Sequence, residues 1–391
     1  MIAAWRDCKL GDLLDVKHGY AFLGEYFAST GTHVVLTPGN FLEEGGFKEK
    51  SDKARWYSGP VPEDYVLNEG DLVVAMTEQA EGLLGSSALI PRSGVYLHNQ
   101  RLGLVQIRDR KQADQHFIYY LFNSKPVRQQ LRGSASGTKI RHTAPSRIAD
   151  VKVRVPPLPV QRRIGGILSA YDELIKNSQR RIRILEAMAR ALYREWFVHF
   201  RFPGHEKLPR IGSALGDIPK GWQVKKLGDV LQLNYGKALK KEDRHGGGFP
   251  VFGSSGVVGY HDASLVHGPG IIVGRKGNVG SVFWCDKDFF VIDTAFFVTS
   301  SIPLRFLSYV LPNLNFINSD AAVPGLSRNQ AYTLEILVPP AGLLHKFCGL
   351  ANTFEKQAST LRLQIENLRR TRDLLLPRLL SGNVTLPSTT S

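Results

Sequence analysis

The feature that most constrains the fold is an internal repeat. The segment from Trp5 to Ala21 recurs 217 residues later, from Trp222 to Ala238, and eight of the seventeen aligned residues are identical. A second match, between the Val-Pro-Pro segments that begin at Val155 and Val338, has an offset of 183 residues. Two copies of one unit explain both matches, and the second copy is 34 residues shorter in its loops.

A long heptad pattern follows each proline pair, because proline ends a strand or helix interior. In both copies the apolar positions advance in alternating steps of four and three residues, which is typical of a coiled-coil seam. The first seam contains Ile164, Leu168, Tyr171, Ile175, Ile182, Leu185, Leu192 and Trp196, and only Ser178 interrupts it. The second contains Phe347, Phe354, Leu361, Ile365, Leu368, Leu375 and Leu379, and only Arg372 interrupts it.

Two such seams in one chain are predicted to pack on each other; the alternative is a single amphipathic helix lying on a globular core. The predicted fold class is α/β, in the mixed α+β sense, with two globular domains separated by two long antiparallel coiled-coil helices in a pseudo-two-fold repeat. The predicted boundaries are a domain at 1–157, a helix at 158–202, a Pro/Gly-rich linker at 203–221, a domain at 222–340, a helix at 341–381 and a flexible tail at 382–391.

This arrangement suits duplex DNA. An antiparallel helix pair carries a pseudo-two-fold axis that exchanges the two domains, and DNA has matching axes. The first seam would span about 50 Å, or roughly fifteen base pairs. The chain has 50 Lys and Arg against 35 acids, and a net charge of +15 favours a polyanionic partner. We therefore expect a bipartite target whose two elements differ and whose spacer is not read.

The composition favours a cytoplasmic protein. The three cysteines, Cys8, Cys285 and Cys348, have no paired spacing, so a disulfide framework or a cysteine-rich zinc site is not expected. The first residues are charged too early for a signal peptide, and no run of 18 apolar residues occurs.

Several segments resemble one family over roughly residues 5–381. They are Val155-Pro-Pro-Leu-Pro-Val-Gln-Arg-Arg-Ile164, Leu185-Glu-Ala-Met-Ala-Arg-Ala-Leu192, and the stretch that runs from Val251-Phe-Gly-Ser-Ser-Gly256 through Gly274-Arg-Lys-Gly277 to Ile292-Asp-Thr294. Together with the repeat order, they resemble the specificity subunit of type I restriction-modification systems. One departure is that Ala341-Gly-Leu-Leu-His-Lys346 replaces the first copy's Leu158-Pro-Val-Gln-Arg-Arg163.

The resemblance implies two target-recognition domains and two helices that form an antiparallel coiled coil. It implies that two methyltransferase (modification) subunits dock on the chain and that restriction (translocase) subunits join through the complex. Those partners would perform adenine methylation or remote cleavage, while this chain would bind double-stranded DNA as a non-catalytic specificity subunit of the restriction system.

Candidate DNA-binding residues in the second domain lie on Gly-rich or polar loops, where backbone can approach a phosphate and side chains can reach base edges. One loop carries Arg275, Lys276 and Asn278, and the alternative for it is an ordinary solvated hairpin turn. The other candidates are Ser254, Ser255, Tyr260, His261, Ser327, Arg328 and Asn329.

The matching positions of the first domain are less basic. The candidates there are Thr77, Gln79, Asn99, Gln100, Arg101, Lys139, Arg141 and His142. The segment from Asn99 to Arg101 equally suits a strand cap, and the segment from Lys139 to His142 is predicted to correspond to the one from Ser327 to Asn329.

Sequence signals for catalysis are lacking. No Walker loop, no Asn-Pro-Pro-aromatic stretch of an adenine methyltransferase and no Gly-x-Ser-x-Gly elbow occurs, so no catalytic residue, cofactor or metal is predicted. Two alternatives stay open at this point: a standalone DNA-modifying enzyme, and a transcriptional or architectural DNA-binding protein.

Overall fold

A computed structural model describes residues 5–50, 53–78, 82–137, 140–316 and 325–384. The chain forms two compact units, the first from residues 1–177 with 364–391 and the second from residues 178–363. Both boundaries fall inside long helices, so each unit contains one segment of each helix.

The first unit is a mixed α/β structure. Its strands are β1 (Arg6–Lys9), β2 (Leu14–His18), β3 (Phe27–Ala28), β4 (His33–Val35), β5 (Trp56–Tyr57), β6 (Leu72–Ala75), β7 (Thr77–Glu78), β8 (Ser87–Leu89), β9 (Tyr96–Leu97), β10 (Leu102–Ile107), β11 (Arg141–His142) and β12 (Lys152–Val155). Its short helices are α1 (Gln115–Phe122), α2 (Lys125–Gly133) and α3 (Pro145–Ala149), and the first long helix is α4 (Leu158–Tyr193).

The second unit repeats this plan. Its strands are β13 (Arg210–Ile211), β14 (Ile218–Pro219), β15 (Gln223–Lys226), β16 (Leu231–Tyr235), β17 (Phe249–Gly253), β18 (Gly256–His261), β19 (Gly270–Gly274), β20 (Val282–Cys285), β21 (Phe290–Val291), β22 (Ala295–Ser300) and β23 (Glu335–Val338). Its short helices are α5 (Leu227–Val230), α6 (Leu304–Val310) and α7 (Arg328–Thr333), and the second long helix is α8 (Ala341–Leu380).

Strand registers confirm the internal repeat. Arg6 pairs with Val155 where β1 meets β12, and Gln223 pairs with Val338 where β15 meets β23. Each antiparallel ladder therefore joins the two repeated segments of its own copy. The main sheet has the order β2-β10-β6-β8 in the first unit and β16-β22-β19-β20 in the second. A second, smaller sheet in each unit contains one parallel pair, β4 with β9 and β17 with β21.

The repeated glycines mark a close backbone approach. A Cβ atom on Gly19 would lie 2.0 Å from the carbonyl oxygen of Asn99, and one on Gly236 would lie 2.2 Å from that of Ile292. No side chain fits at those distances, so glycine is required at the same point of both copies.

The long helices run antiparallel within each unit. In the first unit Ile164 and Leu168 of α4 share a buried cluster with Leu379 of α8. In the second, Trp196, just past the end of α4, and Phe347 of α8 share a buried cluster, with ring centroids 6.2 Å apart. All the predicted seam residues are buried or half-buried, which confirms the prediction of two stripes that pack on one another.

A polar contact explains the residue that interrupts the second stripe. Arg372 donates through Nη1 to Asp172 of α4 at 2.6 Å, and Tyr120 of α1 donates to the same carboxylate at 2.5 Å. Burial opposes the charge on Arg372, but the hydrogen bond and the attraction of Asp172 outweigh burial and raise the pKa of Arg372. Burial and the adjacent carboxylate raise the pKa of the Tyr120 hydroxyl. This cluster therefore ties both helices to the first unit's core.

The second unit has a larger network of the same kind. Arg362 of α8 donates to Glu186 of α4 at 2.8 Å and to Glu355 at 2.7 Å. Arg305 of α6 is buried, lies over the Trp284 ring at 3.7 Å, and reaches Glu355 at 3.9 Å. Charged side chains therefore connect α6 to both long helices.

Two predicted boundaries differ from the structure. The first long helix ends at Tyr193, not at residue 202, and a π-helical turn follows at Arg194–Val198. The cause is aromatic packing, since Phe197 and Phe202 pack into a cluster around Trp222. The predicted linker also contains regular structure, because β13 and β14 pair as a short ribbon and Ile218 is buried.

We predict that Asp172→Ala lowers the free energy of unfolding by about 2 kcal/mol, because it leaves the half-buried Arg372 with only the more exposed Asp373 as its counter-charge. Chemical denaturation of the full chain measures this. Glu173→Ala is the matched control, since the neighbouring carboxylate is 74% exposed and should leave stability unchanged. The double variant Asp172→Leu with Arg372→Leu should recover most of the loss, and a loss as large as that of the single variant would contradict the prediction.

Candidate nucleic-acid interface

Five of the candidates in the second unit lie together. The loop that follows β19 carries Arg275, Lys276 and Asn278, and the turn between β17 and β18 carries Ser254 and Ser255. Asn278 donates through its amide to the hydroxyl of Ser255 at 3.2 Å. Ser281 donates to the Ser254 carbonyl at 2.6 Å, which binds the two loops a second time. Lys276 and Asn278 are exposed, whereas Ser254 is buried and supports the loop.

Arg275 and Arg328 share one aromatic ring. Their guanidinium carbons lie over the Tyr235 ring, 4.8 and 4.4 Å from its centroid. Each arginine also donates through Nη1 to a main-chain oxygen, Arg275 to Asp293 at 3.1 Å and Arg328 to Leu233 at 3.4 Å. Sequence reasoning missed Tyr235, although it lies within the repeated segment directly before an obligatory glycine.

Tyr260 and His261 lie elsewhere on the same unit. They end β18, whose register pairs His261 with Phe249 while Gly256, at the loop end, pairs with Gly253. Five residues of strand separate His261 from Gly256, which is about 16 Å. His261 lies 3.2 Å from the Asp262 carboxylate. The structure therefore does not bring this pair to the loop that carries Arg275.

The remaining candidates of the second unit flank α7. The Ser327 hydroxyl caps the helix by accepting a hydrogen bond from the Gln330 backbone, so its part is structural. Asn329 is exposed on the first turn beside Arg328. At the repeat offset of 183 residues, Arg328 is equivalent to Pro145 of α3. The residue that pairs with Lys276 is Gly325, not one of the candidates Ser327, Arg328 and Asn329. The predicted correspondence with Arg141 and His142, which lie on a strand, was therefore wrong in register.

The first unit brings Thr77 and His142 together. Strands β7 and β11 pair Thr77 with His142, and the Thr77 hydroxyl lies 3.1 Å from Nδ1 of the imidazole. Arg141, the other residue of β11, is exposed. The predicted residues Gln79 and Lys139 lie outside the described residues.

The segment from Asn99 to Arg101 divides between support and surface. Asn99 is buried and its side-chain oxygen accepts a hydrogen bond from the Arg101 backbone at 3.2 Å, so the alternative of a structural cap fits this residue. Gln100 and Arg101 are exposed and free to contact a ligand.

A basic cleft of about 320 Å³ adjoins Thr77 and Arg101. Lys50 and Arg55 also line it, and sequence reasoning missed both. The signal available was the basic run of Lys48, Lys50, Lys53 and Arg55, which has no counterpart at the repeat offset.

Glu78 anchors the loop beside this cleft. Its carboxylate is buried and accepts hydrogen bonds from the backbone of Gly82 at 3.1 Å and of Leu84 at 2.8 Å. Arg128 of α2 donates to the Gly82 carbonyl. Burial lowers the pKa of Arg128 to about 10, so its side chain remains charged at neutral pH.

Within the described parts of the chain, no group of three or more His, Cys, Asp or Glu side chains is placed to hold a metal ion. None of the helices described here has the length and apolar character needed to cross a membrane.

The family model of the type I restriction modification DNA specificity domain matches residues 3–187 and 219–368. The chain belongs to the type I restriction-modification DNA specificity family. As a member of this family it is a non-catalytic specificity subunit, and its function is recognition of a DNA target.

Individual members of the specificity family are distant in sequence. The MjaIX specificity subunit of Methanocaldococcus jannaschii is 24% identical over 296 residues, which cover 68% of each chain. The HindI specificity subunit of Haemophilus influenzae is 24% identical over 68% of this chain and 77% of its own. The crystal structure of an S subunit from M. genitalium has a TM-score of 0.66 at 20% identity, over 99% of this chain and 97% of that one, and it shows the same fold.

We predict that Lys276→Ala weakens binding to target DNA and lowers the slope of log affinity against log salt by about one, because one phosphate contact is lost. Titrations of the full chain in its complex at several salt concentrations measure this. Lys207→Ala is the control, since Lys207 is an exposed lysine of the connecting segment. An unaltered slope for Lys276→Ala would remove this lysine from the contacts.

Proposed function

We propose that the chain reads a bipartite DNA target, one element with each unit, and directs methyltransferase and restriction subunits to it. The observation that carries this proposal is one strand framework, present twice, with different side chains at equivalent loop positions. The registers place Arg275 and Lys276 where the first unit has Met76 and Thr77. A common framework with different contact residues suits two related but different sequences.

The proposed division of labour follows the predicted boundaries. Residues 1–157 and 222–340 are target-recognition domains, 158–202 and 341–381 are the connecting helices, 203–221 is the linker and 382–391 is the tail. The side chains proposed to contact DNA lie at the loop ends: Arg275, Lys276, Asn278 and Ser255 in the second domain, and Thr77, Gln100, Arg101, Arg141 and His142 in the first, where Thr77 is buried and the other four are exposed.

The helices are the proposed docking surface for the methyltransferase subunits. Large apolar side chains on both helices are exposed: Leu174, Ile184 and Met188 on α4, and Leu350, Leu363 and Leu374 on α8. Ile184 and Met188 are one helical turn apart, so they form a continuous apolar strip. Exposed apolar strips rimmed by charge are typical of protein interfaces. Since the substrate is cellular DNA, we also propose a cytoplasmic location, which agrees with three free cysteines.

Selection from a random-sequence duplex library by the full chain with its methyltransferase partner tests this function. We expect two short elements, different from each other, separated by a gap of fixed length that is not read. A single continuous footprint with a palindromic consensus would instead support a transcriptional or architectural protein. Turnover by the chain alone, with Mg²⁺ and S-adenosylmethionine, would support a standalone enzyme.

The helix pair is proposed to set the gap between the elements. Insertion of seven residues after Asn177 and seven after Leu363 preserves the heptad phase and lengthens each helix by about 10 Å. We expect the selected gap to grow by about three base pairs while both elements stay the same. The mismatched control is an insertion of four residues in α4 alone, which displaces the α4 stripe by about one turn relative to the α8 stripe. An unchanged gap after the paired insertion would show that the helices do not set it.

A further inference from the structure

The Tyr235 stack, formed by Tyr235, Arg275 and Arg328, has more fixed charge than its surroundings explain. Two guanidinium groups lie within 4.8 Å of one ring centroid, and the ring is 48% exposed. Among the described residues, no carboxylate lies within ion-pair distance of either arginine. Two like charges held over one ring without a counter-charge are costly unless a ligand supplies acceptors.

The stack is built rigidly. Helix α7 makes two hydrogen bonds to the Leu233 backbone. The Tyr332 hydroxyl accepts from the Leu233 N–H at 2.9 Å, and Arg328 donates to the Leu233 carbonyl. Phe296 supports the Tyr235 ring, with centroids 5.1 Å apart, and also lies under Arg275. The obligatory Gly236 follows the ring, so the strand that carries the ring is fixed against the backbone of Ile292.

The two arginines have the same edge free. Each uses Nη1 for a main-chain carbonyl, and within the described chain neither has a hydrogen bond from Nε or Nη2. Nε and Nη2 lie on one side of a guanidinium and donate two parallel hydrogen bonds to a pair of acceptors. Each arginine is therefore prepared for bidentate contact in a plane that the aromatic ring helps to define.

We propose that the Tyr235 stack reads guanine, with Arg275 and Arg328 each able to contact O6 and N7 of one guanine in the major groove through its Nε and Nη2 edge. This rests on the proposed function. A fixed plane is what a base edge requires, whereas a phosphate accepts from many directions and suits the exposed Lys276 nearby. Tyr235 is a positioning residue, because it orders both guanidinium groups.

The stack belongs to the second unit alone. The repeat places His18 at the position of Tyr235, Met76 at that of Arg275 and Pro145 at that of Arg328. Guanine is therefore assigned to the element proposed for residues 222–340, and the first unit has no equivalent of this stack with which to read it.

The test repeats the library selection with single variants of the full chain in its complex. Arg275→Lys and Arg328→Lys keep the charge but remove the planar fork, so we expect the salt slope to persist and discrimination at a guanine of one element to fall about tenfold or more. Replacement of that guanine by 7-deazaguanine, which lacks N7, should weaken wild-type binding and leave the binding of the lysine variant unchanged. Full discrimination by both lysine variants, or wild-type indifference to 7-deazaguanine, would overturn the proposal.

Variants of the ring separate positioning from folding. Tyr235→Phe keeps the platform and should retain guanine discrimination, whereas Tyr235→Leu should lose it without a change in the unfolding midpoint. Tyr260→Ala is the matched control, because Tyr260 is about as exposed as Tyr235 and lies at the end of β18 that is far from the Arg275 loop. Equal behaviour of Tyr235→Leu and Tyr260→Ala would refute the positioning role. If the wild-type complex selects no sequence at all, the proposed function itself fails, which is a different result.

Discussion

Antiparallel contact between α4 and α8 is the interaction on which both units depend. The end of α8 contributes Leu379 to the core that contains Leu10 and Val155, and α8 also contributes Phe347 to the core around Trp222. The first core combines two separated stretches of sequence, whereas the second lies within one stretch that contains parts of both long helices. Apolar burial supplies most of the stability, and the polar contacts of Asp172 and Glu186 fix which residues face each other.

The two units show how one framework carries two chemistries. Strand pairing and the close approach of Gly19 and Gly236 are the same in both, because they depend on backbone geometry. The loop ends of the framework differ, with a Thr77–His142 contact in one unit and the Tyr235 stack in the other. Framework positions are constrained by packing, whereas loop ends are constrained only by what they bind.

Much of the architecture could be predicted from the sequence because it follows from periodicity. The heptad stripes and the proline pairs located both long helices, and the repeat indicated one framework present twice, which the equivalent β1–β12 and β15–β23 ladders confirm. The end of α4 could not be predicted, because Phe197 and Phe202 are apolar in either setting and only tertiary packing decides between them. The site was harder still. Tyr235 and Arg328 are 93 residues apart, so nothing local indicates that they touch, and the separation of His261 from Arg275 depends on strand register.

The contact between the two ends of the described chain has a consequence for synthesis on the ribosome. Trp5 lies against Gly382, and Leu379 is buried in a core whose other members lie between residues 10 and 168. The core of the first unit, which Trp5 adjoins, therefore cannot be completed until α8 has left the exit tunnel. Until then the apolar surface of the first unit stays open to solvent, and the closing loop is nearly as long as the chain. If synthesis stops before Leu379 is made, the first unit stays incomplete, even though every loop proposed to contact DNA has already been synthesised.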